Sequence, residues 1–504
     1  MAEPRSMKPG QTKPRVRVKM NSSAFKLDQR GYTEAARSYG AAGGDDFIHS
    51  WLKQPESIDS LIKNSLSILR ARSREQVQNN DYARRFIGMV KTHVVGPDGF
   101  VFQARTTDLD GTLDKLANDA IEDNFNDWSK RGNCDVTGRL SFKEMQRLIV
   151  STVAEDGECF VIRSMGGQYK YQLQLLDVEQ LPVKYSGNHT NGNLIKFGVE
   201  IDVFGKPVAY HFTSDQNGDS YPLGGVHYRR VPAEDVYHVY LPEKVNQKRG
   251  IPWMSTALLR MKMLNGFEDA ALVNARVGAS KMGFFTSADG RGYEGDSRDA
   301  DGSIISEVTP GTLEQLPDGV DFKTFDPTYP SNEFGTFVSN ALRGISSGLG
   351  VSYHKLGNDL SSVNYSSGRL GELEDRETWK TLQDWLTDTF LVPVYEDWLV
   401  VQLNVTENIK VNGSALKPDR ELKYKKVTFQ GRRWQWVDPQ KEVNAQEKQI
   451  ALGLRSRSDI IREQGRDPDD VWLEMQREKE RMKDLGIYSE PITAQPNMMP
   501  DPDN

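Results

Sequence analysis

An apolar, helix-forming stretch that opens at Pro252 and runs to about Lys281 constrains this chain more than any other feature. At about 1.5 Å per residue such a rod spans roughly 45 Å, longer than a compact domain usually needs. A second helical stretch, 331–348, follows it, and a Gly- and Asp-rich segment from Ser287 to Asp326 lies between the two. That segment carries Asp289, Glu294, Asp296, Asp299, Asp301, Glu307, Glu314, Asp318 and Asp321 against Arg291, Arg298 and Lys323, so it reads as an acidic insertion protruding between two rods. A third rod spans 369–402 and contains Pro393, which removes a helical hydrogen bond and predicts a kink. The second and third rods are joined by the Ser/Asn-rich loop Asn358, Asp359, Leu360, Ser361, Ser362, Val363, Asn364, Tyr365, Ser366, Ser367, Gly368.

Upstream of the rods the periodicity changes twice. Ile58, Leu61, Ile62, Leu66 and Leu69 recur at helical spacing from Ser57 to the break at Asn79-Asn80. Ser141 and Glu144 form a capping box before an amphipathic helix that ends at Asp156-Gly157. Residues 159–240 then read as short strands at Cys159–Arg163, Tyr171–Leu176, Phe197–Val203 and Val236–Tyr240, giving an α+β module. Beyond a strand-like stretch at Lys425–Phe429 the chain is helical again, with Gly453 and Gly465 as C′ residues and Asp467-Pro468 opening the last helix. A chain of 504 residues exceeds the size at which single cores stop growing, so several modules are expected.

Composition excludes more functions than it suggests. No apolar run approaches the roughly 18–20 residues of a membrane span, and the N-terminus lacks the apolar stretch of a signal peptide, so a soluble, unexported chain with no membrane partner is expected. Cys134 and Cys159 are too few for a disulfide framework or a cysteine metal site and read as free thiols. A net charge of −7 argues against a protein that grips nucleic acid, yet suits a wall past which DNA slides, since every attractive contact must be broken at each step. Residues 1–30 are different: Arg5, Lys8, Lys13, Arg15, Arg17, Lys19, Lys26 and Arg30 face only Glu3 and Asp28, which predicts a mobile basic arm, followed by the joint Gly40-Ala41-Ala42-Gly43-Gly44.

Catalytic chemistry finds little support in the residues. No phosphate-cradling G-x-x-x-x-G-K-[ST] and no H-E-x-x-H occur, and His49, His93, His189, His211, His227, His238 and His354 lack metal-ligand spacing. Asp299-Ala300-Asp301-Gly302 has the outline of a calcium loop, but Ser297 and Val308 stand where the first ligand and the bidentate glutamate belong. Asp156 and Glu158 flank Gly157 as an acid/base pair might, and a helix-to-strand turn explains them equally well. Trp379, Trp385, Phe390, Tyr395 and Trp398 have the spacing of a buried helical stripe more than of a base-stacking platform. No catalytic residue, metal or cofactor is assigned.

Four segments resemble the portal proteins of tailed bacteriophages, in particular the lambda-like portal family. They are Leu69-Arg70-Ala71-Arg72-Ser73-Arg74 running through Asn79-Asn80-Asp81-Tyr82-Ala83-Arg84 to His93-Val94-Val95-Gly96; Asp156-Gly157-Glu158-Cys159-Phe160-Val161; Val231-Pro232-Ala233-Glu234-Asp235-Val236-Tyr237-His238 with Arg249-Gly250-Ile251-Pro252-Trp253 and Glu268-Asp269-Ala270; and Trp436-Val437-Asp438-Pro439 with Glu463-Gln464-Gly465-Arg466-Asp467-Pro468. The matches cover roughly 57–485; the arm, the acidic insertion and the tail after Gly486 carry no family pattern.

The resemblance implies a portal fold in a closed ring, usually of twelve subunits, at one capsid vertex. It implies an N-terminal arm 1–56, a wing 57–250, stem helices 251–282 and 328–350, a clip 283–327, a tunnel-loop region 351–368, a long kinked helix with wing completion 369–438, a crown 439–486 and a tail 487–504. Asn358 to Tyr365 would approach the DNA, and Asp289, Glu294, Asp296, Asp299, Asp301 and Glu307 would dock partners. Those partners would be double-stranded DNA without sequence specificity, the large terminase subunit, major capsid and scaffolding proteins, and head-tail adaptors. The location would be the virion, with the host cytoplasm during assembly. Another ring-shaped head-tail adaptor, or a soluble hydrolase, are the alternatives; the latter would need a convergent residue set that the sequence does not offer.

Overall fold

The computed structural model divides the chain into two units, Met1–Glu56 and Ser57–Asn504, and describes residues 56–213, 227–279, 283–287, 297–298, 304–305, 320–324, 334–361, 363–434, 439–463 and 468–487. The basic arm, the Gly-rich joint, Asp289, Glu294, Asp296, Asp299, Asp301, Glu307, Ser362, Trp436-Val437-Asp438, Gly465 and Asp467 lie outside the described residues, as does the tail after Ile487.

Helix α1 (Ile58–Asn79) starts where Ser57 Oγ accepts the Ser60 amide, and it buries Ile58, Ile62, Leu66, Arg70, Ser73 and Gln76 along one face. Asn80 ends it and caps α2 (Asp81–Val90) by accepting the Tyr82 and Ala83 amides. The helix continues as one π-turn, Lys91–Val95, that stops at Gly96. Strand β1 (Val101–Ala104), α3 (Lys115–Trp128) and α4 (Phe142–Asp156) follow. The Ser141/Glu144 capping box is present, and α4 ends on Gly157 at φ +93°.

Two antiparallel sheets come next. Strands β2 (Glu158–Ser164), β3 (Gln172–Leu176) and β9 (Val236–Tyr240) form a three-stranded sheet with β2 central. Between β3 and β9 in sequence, β4 (Gly187–Asn188), β5 (Leu194–Lys196), β6 (Val199–Ile201), β7 (Pro207–Thr213) and β8 (Tyr228–Pro232) make a five-stranded meander in sequential order. The expected strand Phe197–Val203 is thus cut to β6, because Phe197 and Gly198 both take positive φ and break the pairing. Strands β4, β5, β7 and β8 are not predicted by the sequence; β4 and β5 are too short to show alternation, and β7 buries four consecutive residues.

Helix α5 (Leu258–Ala279) begins six residues after Pro252, so Pro252 does not occupy a first helical turn. Residues 253–257 wind as turns closed by Ser255 N–H to Pro252 O and Ala257 N–H to Met254 O. The reason is upstream: Trp253 N–H is committed to Ala154 O on α4. At about 1.5 Å per residue the rod is roughly 33 Å long, shorter than expected. The insertion contains two ribbons, β10 (Gly283–Ser287) with β13 (Val320–Thr324) and β11 (Ser297–Arg298) with β12 (Ile304–Ile305).

Helix α6 (Phe334–Leu349) leads to the short α7 (Tyr353–Leu356) and then to α8 (Tyr365–Leu386). Alpha-helix α8 passes through the π-turn Thr387–Leu391 into α9 (Val392–Val401) and a second π-turn, Gln402–Thr406. The first π-turn is how the chain accommodates Pro393: Val392 N–H reaches Thr387 O, and the misfit is absorbed one turn before the proline. Hairpin β14–β15 (Lys410–Val411, Ser414–Ala415), α10 (Glu421–Tyr424), β16 (Val427–Gln430), α11 (Pro439–Ala451), α12 (Arg457–Glu463) and α13 (Pro468–Asp484) complete the described chain.

One aromatic core joins the early helices to the late rod. Phe125 and Trp128 of α3, Phe102 of β1, Phe142 of α4, Phe390, Tyr395 and Trp398 of the third rod and Phe429 of β16 are buried together, with Phe125 and Trp398 centroids 5.0 Å apart in an edge-on pair. Each such ring stabilises the fold by about 1.5–3 kcal/mol through burial. Strand β16 pairs with β1 in the register Phe102↔Phe429, which sews the C-terminal half to the N-terminal half. The stripe on the third rod is core, with Trp385 half-buried and its Nε1 donating to Tyr240 O at 3.1 Å.

Candidate functional site

Three of the four segments singled out in the sequence meet at one carboxylate. Glu158, the first residue of β2, is fully enclosed, and its Oε1 accepts Arg249 Nε at 2.7 Å and the Arg70 guanidinium. Its Oε2 accepts His238 Nε2 at 2.9 Å and the Gly250 amide at 2.8 Å. Arg249 spends its remaining donors on Phe197 O at 2.6 Å and Leu181 O at 3.0 Å, and Arg70 Nε donates to Asp156 O at 3.0 Å. Arg74 clamps the Asp156 carboxylate with bonds of 2.7 and 2.9 Å. Helix α1, the α4–β2 turn, strand β9 and the 249–253 segment therefore share one charged centre.

Burial alone would push the Glu158 carboxyl up, but the Arg249 and Arg70 charges and the His238 hydrogen bond overrule it and hold it well below the carboxylate range. Burial also pushes His238 down, so the ring is neutral and donates from Nε2. Gly157 and Gly250 let the two segments cross: a Cβ on Gly157 would lie 2.6 Å from Gly250 C, and one on Gly250 would lie 2.0 Å from Gly157 O. Asp156 and Glu158 are thus a structural node and not an acid/base pair, since Arg74 clamps the first and four protein donors hold the second.

The loop between α7 and α8 is internally braced. Asn358 takes φ +52°, a left-handed value that asparagine tolerates, and stops α7. Asp359 Oδ2 accepts Tyr353 Oη at 2.7 Å, while Oδ1 accepts Ser361 N at 3.0 Å and Oγ at 2.6 Å. The Ser361 and Tyr353 hydrogen bonds draw its carboxyl down to about 2, so it stays ionised. Leu360 is exposed, Asn364 precedes the helix, and Asn364 O accepts the Gly368 amide at 2.9 Å. That bond starts α8 at Tyr365, so Tyr365 to Gly368 belong to the helix and the loop is shorter than the sequence predicts. Lys355 fastens α7 to α8 through Glu372 at 2.6 Å and Asp375 at 3.0 Å.

Helix α5 offers a surface that the sequence reading missed. Its inner face buries Leu258, Met261, Leu264 and Ala271. A second apolar seam, Leu259, Met263, Gly266, Ala270 and Val273, repeats at steps of four, three, four and three residues and points away from the chain's own core, with Leu259 73%, Met263 68% and Val273 62% exposed. Gly266 is costly inside a helix by about 1 kcal/mol relative to Ala, and a Cβ there would meet nothing within 4 Å. Nothing within the described chain explains that glycine; the close approach of another chain would.

Two further arrangements bear on chemistry. Gly344-Ile345-Ser346-Ser347-Gly348 has the spelling of a nucleophile elbow, G-x-S-x-G, but lies inside α6 with Ser346 buried, not at a strand-to-helix turn. Its glycines serve packing: a Cβ on Gly344 would fall 1.6 Å from Arg260 Nη1, and Gly348 O accepts Thr256 Oγ1 at 3.0 Å. On the five-stranded sheet, His189 and His211, scattered in sequence, both turn a ring nitrogen to Glu200.

Comparison with known proteins gives a consistent result. The family described as phage portal protein, lambda family, matches residues 45–383. The chain is 35% identical over 438 residues to the probable portal protein of Halomonas phage phiHAP-1, covering 85% of this chain and 83% of that protein. It is 22% identical over 501 residues to portal protein B of Escherichia phage lambda, covering 89% and 90%. Among solved structures, a chain from the neck of an empty gene transfer agent particle aligns over 84% of this chain and 98% of that chain, with 14% identity and a TM-score of 0.41.

Proposed function

Because the chain belongs to the lambda family of phage portal proteins, we propose that it builds the ring-shaped DNA channel at one capsid vertex, nucleates procapsid assembly, docks the terminase during packaging and the neck or tail afterwards, and is the route by which DNA leaves. The observation that carries this reading is the outward seam on α5. A monomer gains nothing from a coiled-coil-like stripe facing water with a glycine at its centre, whereas a head-to-tail contact repeated about an axis buries it and closes.

On this reading α5 and α6 are the stem, the β10–β13 and β11–β12 ribbons belong to the clip, the two sheets with α1 to α4 form the wing, and α11 to α13 form the crown. The ring is a dodecamer in the virion. The braced 357–364 loop is the tunnel loop that faces passing DNA, and the acidic residues of the insertion meet the terminase or the adaptors. The protein acts as a conduit; the energy for DNA movement comes from the terminase. Support for a non-enzymatic role lies in the Glu158 node, where the carboxylate is held by Arg70, Arg249, His238 and the Gly250 amide.

The test is assembly of seam variants. Met263→Glu with Leu259→Glu should leave a folded subunit that no longer closes into rings, because two charges would be buried against an apolar neighbour. Rings of normal size from that double variant would place the subunit contact elsewhere and remove the main support for the reading.

A further inference from the structure

Glu200 sits on β6 in the middle of the five-stranded sheet with its side chain wholly enclosed. Its Oε1 accepts Asn191 Nδ2 and Asn193 Nδ2, both at 2.8 Å, and Arg230 Nη2 at 3.2 Å; its Oε2 accepts Arg230 Nε at 2.8 Å. That set alone satisfies a buried carboxylate. Yet two imidazoles converge on it as well: His211 Nε2 from β7 stands 3.1 Å from Oε2, and His189 Nδ1 from the β4–β5 turn stands 4.0 Å from Oε1. The three donor atoms lie within 4.8 Å of one another.

We propose that His189, Glu200 and His211 form a binding site for one divalent transition-metal ion of the zinc class, which enters by displacing the Arg230 guanidinium. Two imidazoles and one carboxylate are the donor set of an open zinc site, leaving a position for water, and they favour zinc, cobalt or nickel over magnesium or calcium. Tetrahedral ligation with bonds of about 2.0–2.2 Å needs donors roughly 3.4 Å apart, so the observed triangle must close by about an ångström. Side-chain rotation supplies that, because His189 sits on a two-strand turn and is a quarter exposed.

The occupant to be displaced is well placed to leave. Arg230 is 39% exposed at its side chain and lies on β8, the edge strand of the sheet, while Glu200, His211 and both asparagines stay in position around the ion. An ion would take over the guanidinium's charge-balancing role and, unlike the guanidinium, would also use both rings. The Asn191 and Asn193 amides would act as outer partners that orient the carboxylate. Ligation through His211 Nε2 requires the Nδ1–H tautomer, so the ion also replaces the hydrogen bond that Nε2 donates to Glu200 Oε2. In the protein the ion would pin the β4–β5 hairpin to β6 and β7.

The experiment uses the untagged full-length protein, stripped with a chelator, and titrates it with ZnCl2 by calorimetry and with CoCl2 by visible absorption. One ion per chain is expected, with tetrahedral cobalt bands and a raised melting temperature of the wild type. His211→Gln and His189→Gln should each weaken binding by at least about tenfold and abolish the cobalt bands, with circular dichroism confirming the fold. Arg230→Ala should strengthen zinc binding by about tenfold, since it removes a competing cation. Absence of saturable binding, or binding unchanged in the double histidine variant, overturns the site. Unchanged or weaker binding in Arg230→Ala overturns the displacement, showing that the guanidinium and the ion do not share the position.

Discussion

Replacing Glu158 by Gln keeps the side chain's shape and removes its charge, leaving Arg249 buried without a counter-ion and Arg70 with only Glu179, 3.7 Å from its Nη1. Breaking a buried pair in this way costs about 3–5 kcal/mol, because the surviving charges have lost their solvent and now lose their partner. Four separate segments converge on this carboxylate, so the loss is felt between the α1 face, the α4–β2 turn, β9 and the approach to α5 together. Domains carry about 5–15 kcal/mol in total, and for a unit as long as Ser57–Asn504 each kilocalorie shifts melting by about 1 °C, so a fall of about 3–5 °C is expected. Thermal unfolding followed by circular dichroism and tryptophan fluorescence reads it. Arg70→Met and Arg249→Met combined with Glu158→Leu should restore much of the loss, since well-packed apolar groups replace a buried ionic set at little cost. A fall of less than about 1 °C in Glu158→Gln would refute the claim that this charge holds the segments together.

Gly266→Ala should stabilise the isolated subunit by about 1 kcal/mol in urea unfolding, because helix propensity rises and the added methyl meets nothing, while Gly266→Leu should block ring closure in size-exclusion chromatography. Acidification should lower the melting temperature between about pH 6.5 and 4: burial holds His93 at about 4 and keeps His211 and His238 below 6.5, so the unfolded chain binds more protons in that window. Below about pH 4.5 Glu158, depressed in the fold, adds a second loss, and a melting curve flat from pH 7 to 4 would contradict both. Asp359→Ala removes the acceptor of Tyr353 and Ser361, so amide exchange in 357–364 should accelerate while assembly is unchanged; unaltered exchange would show that the brace does not order the loop.

What the sequence revealed depended on how local the physics is. Ser57, Asn80 and the Ser141/Glu144 box set helix ends with their own neighbours, so α1 and α4 could be read directly. The aromatic stripe on the third rod was legible as core because its period is helical. The Glu158 node was not, since its partners stand 80 to 92 residues away and Gly157 looked like a turn residue and nothing more. The π-turn before Pro393 has no signature beyond the proline itself. The α5 seam lay in plain spacing, yet an apolar helix reads as core until its solvent-facing side is known. The Glu200 cluster depends on a sheet built from strands of two to seven residues, too short to show a period.

Electron cryomicroscopy of the purified full-length protein tests the ring most directly. A closed ring, with α5 of each subunit presenting Leu259, Met263, Gly266, Ala270 and Val273 to its neighbour and the 357–364 loops lining the bore, is the predicted result. Particles that stay monomeric or dimeric across assembly conditions, or rings in which the α5 seam faces solvent, would contradict it.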